Sequence, residues 1–128
     1  MAKILIAEDD HDIRTAYVFA FTKAGYETIE AADGSQAMTA LTNEHPHVIL
    51  LDMLMPGMSG LDFLRQAKIT EKRTGIKVIA FSNIDTPRVV TEAKALGASD
   101  YLIKVDVTPH DMVEIVNKLI GDLAPKKS

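Results

Sequence analysis

Four polar positions close four separate apolar runs along the chain. Lys3–Ala7 runs into Glu8, Asp9 and Asp10, and His47–Leu51 ends at Asp52. Lys77–Phe81 ends at Ser82, and Tyr101–Ile103 ends at Lys104. Carboxylates, one hydroxyl and one ammonium are the groups that phosphoryl chemistry uses. A carboxylate can act as nucleophile, while positioning and charge neutralisation carry most of the rate. Two unit charges about 4 Å apart repel by roughly 4 kcal/mol at an effective dielectric near 20. Gathered carboxylates therefore need a proton or a cation. An all-oxygen donor set suits a hard octahedral ion, Mg²⁺ first and Mn²⁺ as the alternative. Lys104 can neutralise a carboxylate and meet an incoming phosphoryl oxygen, and Ser82 can donate to another.

These residues lie about a hundred positions apart, so a fold must gather them. Short continuous apolar runs separated by helical patterns read as strands buried on both faces of a parallel sheet. In such sheets ligands bind in the crevice past the strands' carboxyl ends, where all four polar positions fall. A further strand is expected over Glu27–Ala31. Helical spacing links Ile13, Ala16, Tyr17, Ala20 and Ala24, with Gly25 as the stop. Asp33 is an N-cap for a helix carrying Ala37, Met38 and Leu41. After the Pro56-Gly57 turn, Leu61, Leu64 and Ala67 begin another helix. Thr86-Pro87 and Thr108-Pro109 each place a hydroxyl N-cap before a proline at the first helical position. Five strands and five helices in alternation give a doubly wound parallel α/β sheet. Periodicity does not reveal the strand order.

Each feature also has a plain structural role. Acids favour a helix's first turn, and N-cap geometry accounts for Asp10. A lone serine past a strand caps a loop, and a lone lysine there is solvated. Asp52 is different, because a carboxylate closing a five-residue apolar run does nothing structural that Asn or Gly could not. Met53, Met55 and Met58 are explained by packing. His45 and His47 fall at the opposite end of their strand from Asp52, so no histidine is taken as a metal ligand.

The 128 residues carry 18 acids against 14 Lys and Arg, a net charge of −4 without a basic stripe. That opposes a nucleic-acid-binding surface. No apolar stretch reaches the length of a membrane span, and zero cysteines exclude disulfides and zinc–thiolate sites. The first residues lack a basic n-region, an extended apolar region and a cleavage site. A cytoplasmic location is expected. One domain over residues 1–123 is expected, followed by a short polar tail, 124–128, solvated from Pro125 onward.

The set Ile-Leu-Ile-Ala-Glu8-Asp9-Asp10, Leu-Leu-Asp52-Met-Leu-Met-Pro56-Gly57-Met-Ser-Gly60, Ser82 and Gly97-Ala98-Ser-Asp-Tyr101-Leu-Ile-Lys104 resembles the response-regulator receiver domains of two-component signalling. The likeness covers residues 2 to about 123. It implies a flavodoxin-like five-stranded sheet of order 2-1-3-4-5. It also implies Asp52 as the phosphoacceptor, charged by a phosphohistidine on a sensor histidine kinase or histidine phosphotransfer protein. Glu8, Asp9, Asp52 and the main-chain carbonyl of Leu54 would hold Mg²⁺, with Asp9 rather than Glu8 the direct ligand of the acidic pair. Ser82 and Tyr101 match the switch pair, and Lys104 the phosphate-binding ammonium. Phosphorylation would alter the face formed by the fourth helix, fifth strand and fifth helix, including Arg88, Glu92 and Tyr101, for a downstream protein to read. The domain would promote only its own phosphorylation and dephosphorylation, as a monomer or a weak phosphorylation-dependent dimer.

The chain departs from the family pattern at three places. Val105 replaces the proline usual after the lysine, so a trans Lys104–Val105 peptide is expected. Asn83 replaces a small residue and is expected to cover part of Asp52, narrowing access. Leu54 and Ile84 flank the path of a hydrolytic water without being able to orient it, which predicts a long-lived phospho-Asp52. Tyr101 also fits a half-buried edge aromatic whose hydroxyl meets water.

Three other functions compete. A haloacid-dehalogenase-type phosphohydrolase also uses a strand-end aspartate but needs a second Asp where Leu54 stands. An FMN-binding domain needs a phosphate loop where this chain places acids. A degenerate receiver is opposed by the complete set of acids, hydroxyl and lysine.

Overall fold

The apolar runs form strands because each is flanked by helices on both sides, leaving no solvent face to fill with polar residues. The structure is a computed structural model and describes residues 2–73 and 75–125. In chain order the elements are β1 (Lys3–Ala7), α1 (His11–Lys23), β2 (Glu27–Ala31), α2 (Gly34–Glu44), β3 (Val48–Asp52) and α3 (Gly60–Ala67), then β4 (Lys77–Ser82), α4 (Pro87–Ala95), β5 (Ala98–Ile103) and α5 (Pro109–Ile120). A single extra turn, Ile69–Lys72, follows α3 through Lys68, which is left-handed at φ 51°. The sheet order is β2-β1-β3-β4-β5, every pair parallel. The five-stranded flavodoxin-like architecture is therefore present.

Strand periodicity divides the core in two. Leu5, Ile49, Leu51, Val78 and Ala80 face α2, α3 and α4, meeting Leu41, Phe63 and Ala93. Their alternate neighbours Ile4, Ile6, Leu50, Ile79 and Phe81 face α1 and α5, meeting Tyr17, Phe21, Met112 and Val116. β3 is central and buried at all five positions, Asp52 included. Burying a Leu, Ile or Phe contributes about 1.5–3 kcal/mol, so these layers fix the strand register. Register in turn fixes which residues reach the carboxyl edge.

The helix signals fare unequally. Asp10 and Asp33 cap α1 and α2 through their side chains. Thr108 caps α5 in a reciprocal box with Asp111, but Thr86 makes no side-chain cap. Position N3 of α4 is Val89, which cannot return the bond, whereas α5 has Asp111 there. β5 starts at Ala98, three residues before the apolar triplet. Pro125 is half-buried rather than fully solvated. A 3₁₀ turn over Gly121–Leu123 brings the chain back, and a Cβ at Gly25 would lie 2.9 Å from Pro125 Cβ. Residues 126–128 of the expected tail lie outside the described residues.

Candidate functional site

The carboxyl ends of β1, β3, β4 and β5 converge. Glu8 and Asp52 are 0% and 2% exposed, Ser82 is buried, and Asp9 faces solvent. Burying carboxylates is costly unless each is paired, and the pairing here comes from β5. Lys104 Nζ lies 2.5 Å from Glu8 Oε1 and 3.1 Å from Asp52 Oδ2. The same ammonium sits 5.2 Å from the centre of the Phe81 ring, which forms one wall beside it. Asp52 Oδ1 accepts from the Leu54 N–H at 3.0 Å, turning the chain sharply out of β3. Gly60 keeps that loop close. A Cβ there would come within 2.8 Å of the Asp52 carbonyl oxygen and 2.7 Å of Met53 Cα.

One carboxylate oxygen from each of Glu8, Asp9 and Asp52 lies within 4.8 Å of the others. This all-oxygen group fits a hard divalent cation. Burial, followed by the neighbouring Asp52 carboxylate, pushes the Glu8 carboxyl up to about 8, against the pull of Lys104. Burial alone would lower the Lys104 ammonium. The Glu8 hydrogen bond and the Asp52 charge outweigh it and hold it above its ordinary value. Three carboxyl groups thus face one ammonium, and the raised Glu8 relieves part of the repulsion by holding its proton.

Ser82 Oγ accepts from the Ile84 N–H at 3.2 Å. The Tyr101 hydroxyl donates to the Ile84 carbonyl at 2.7 Å, a protein partner rather than the water expected of an edge aromatic. Burial raises its pKa, and the Ser82 hydroxyl opposes the rise. Leu54 is 60% exposed and Ile84 is half-buried. The Lys104–Val105 peptide is trans, as are all peptides among the described residues.

Asn83 follows Ser82 in the loop after β4. Its side chain is exposed, and its Oδ1 accepts from the Val105 N–H at 3.3 Å. The bond ties the amide oxygen to the β5–α5 loop. Arg14 is a site residue that sequence reasoning missed. It donates to the Glu8 carbonyl at 2.8 Å and pairs with Glu30 at 3.1 Å, tying α1 to the ends of β1 and β2. The available signal was a cation near the start of a helix, where the dipole disfavours it.

The response regulator receiver domain model matches residues 4–117. This chain belongs to the response-regulator receiver family. It is 38% identical over 113 residues to the sporulation initiation phosphotransferase F of Bacillus subtilis, covering 88% of this chain and 86% of that protein. It is 34% identical over 114 residues to the regulatory protein AtoC of Escherichia coli, covering 88% of this chain but only 23% of the relative. The phosphate regulon transcriptional regulatory protein PhoB of Pseudomonas aeruginosa is 30% identical, and the chain spans 54% of its length. Among solved structures, a receiver domain protein from Methanospirillum hungatei superposes with a TM-score of 0.87 at 27% identity, covering 94% of each chain. The Vibrio cholerae chemotaxis protein CheY4 gives 0.83 at 28% identity, covering 93% of this chain and 98% of that one. Receiver domains are signalling modules of two-component systems that are phosphorylated on an aspartate and bind a divalent metal at an acidic pocket. Among the described residues, no helix is long and apolar enough to cross a membrane.

Proposed function

We propose that this receiver takes a phosphoryl group onto Asp52 from the phosphohistidine of a sensor histidine kinase or histidine phosphotransfer protein. The phosphorus–nitrogen bond breaks as a carboxylate oxygen of Asp52 bonds to phosphorus, and the imidazole departs, leaving an acyl phosphate. The observation that carries this reading is the buried Asp52, 3.1 Å from Lys104, with oxygens of Glu8 and Asp9 within 4.8 Å of its own. Glu8, Asp9, Asp52 and the Leu54 main-chain carbonyl would hold a divalent ion, which would supply positive charge against the phosphoryl oxygens. Mg²⁺ is the first choice and Mn²⁺ the alternative. Lys104 anchors a phosphoryl oxygen as a point charge while remaining near Glu8. Ser82 exchanges its bond to the Ile84 N–H for one to the phosphoryl group, and Tyr101, bonded to the Ile84 carbonyl, follows that loop.

The loop movement biases the face made by α4, β5 and α5, with Arg88 and Tyr101 expected on it, while Glu92 pairs with Arg65 of α3. A cytoplasmic partner preferring one arrangement then reads the state. The receiver spans residues 1–123 and works as a monomer or weak phosphorylation-dependent dimer. Leu54 and Ile84 leave the hydrolytic water unoriented, so the acyl phosphate is long-lived. Incubation with acetyl phosphate and Mg²⁺ should add one phosphoryl group per chain, and none without the ion. Sustained turnover of phosphomonoesters, or no adduct at all, contradicts the proposal.

A further inference from the structure

The hydrogen bond between Asn83 Oδ1 and the Val105 N–H joins the two loops that carry the switch hydroxyl and the phosphate-binding lysine. Backbone pairing of β4 with β5 ends at the rung Ser82–Ile103. The Asn83 bond lies just beyond it, so a side-chain oxygen extends the ladder where the main chain has stopped. One side of this link holds Ser82 and Ile84, themselves tied to each other and to Tyr101. The other side holds Lys104, whose carbonyl accepts from the Val107 N–H at 3.3 Å to close the 3₁₀ turn over Lys104–Asp106. Both partners are places where this chain departs from the receiver pattern. The link needs both departures, because an alanine or glycine at 83 has no side-chain acceptor and a proline at 105 has no donor.

We infer that Asn83 is a positioning residue. Through the Val105 main chain it holds the Lys104 turn against the Ser82 loop, fixing the spacing of ammonium and hydroxyl across Asp52. Asn83 touches none of the reacting groups, so its effect passes through Lys104. The inference rests on the phosphoacceptor reading for its functional half and on the loop geometry alone for its structural half.

Asn83→Ala, Val105→Pro and the double variant test both halves. The readouts are hydrogen exchange at the Val105 amide and the rate of acetyl phosphate labelling at saturating Mg²⁺. Asn83→Ala should speed Val105 exchange, and slow labelling, by about fivefold, the scale of one modest hydrogen bond. Asn83→Asp keeps an oxygen in place and should restore the Val105 protection. In the Val105→Pro background the donor is already gone, so Asn83→Ala should change labelling by less than about twofold. Unchanged Val105 exchange in Asn83→Ala overturns the inference. Equal labelling losses in both backgrounds also overturn it, since Asn83 would then act without Val105. Wild-type protein that takes no label defeats the phosphoacceptor reading instead, and the exchange result still decides whether the link exists.

Discussion

Each end of the sheet holds a lysine between two carboxylates. At the amino end, Lys3 Nζ lies 3.4 Å from Glu27 and 3.8 Å from Glu44. At the carboxyl end, Lys104 Nζ lies 2.5 Å from Glu8 and 3.1 Å from Asp52. The charges are the same, yet the Glu27 and Glu44 side chains are 48% exposed and those of Glu8 and Asp52 are 0% and 2%. Water screens the first trio and leaves it worth about 0–1 kcal/mol. The second is cut off from water, so burial first and the Asp52 carboxylate second raise the Glu8 carboxyl. Burial, not composition, makes one trio a surface staple and the other a reactive pocket. His47 underlines the contrast. Its Nδ1 accepts from the Lys3 main-chain N–H at 2.9 Å, a structural role at the far end from Asp52.

Removing Asp52 should have the largest effect. Asp52→Ala should abolish labelling by acetyl phosphate in an intact-mass assay, while Lys3→Met labels normally. Next comes the lysine itself. Without Lys104 two buried carboxylates lose their counter-charge, so Lys104→Met should lose about 2–4 kcal/mol in Mg²⁺-free urea unfolding at pH near 8. Lys3→Met should lose less than about 1 kcal/mol. Equal losses at both ends would erase the distinction.

The pH dependence of stability separates the two ends more finely. The folded pKa of Glu8, about 8, stands above its ordinary 4.5. Its contribution is therefore complete below 4.5 and is lost as pH rises through about 8. Lys104 is raised from 10.5, so its contribution stays complete across that window. Without Mg²⁺, wild-type stability should fall between about pH 5 and 8 by roughly 3–4 kcal/mol, while Glu8→Gln stays flat. Parallel slopes in urea titrations would show that Glu8 keeps an ordinary pKa. The smallest expected change concerns lifetime. Leu54→Asn and Ile84→Glu should each shorten that of phospho-Asp52 several-fold in a dephosphorylation time course, by giving the water a polar partner.

The pocket was legible in the sequence because a central parallel strand leaves no other place for its terminal polar residue. Strand order was not, since period-two burial is the same in any order; only the resemblance to receivers supplied it. The two Thr-Pro pairs look alike until position N3 is compared, where Asp111 completes a box and Val89 cannot. The bonds of Asn83 and Arg14 were not foreseen because each goes to main-chain atoms of another loop or strand end. Backbone acceptors and donors carry no sequence signature. Pro125 belongs with them, since its place against Gly25 depends on a terminal turn.

If the buried trio makes Asp52 the acceptor, neither Glu8 nor Asp9 takes up the phosphoryl group. Borohydride reduction of acetyl phosphate-treated protein converts an aspartyl phosphate to homoserine, which peptide mapping then locates. Homoserine at position 52 alone is the expected result. Reduction at residue 9, at residue 8 or at no acidic residue would contradict it.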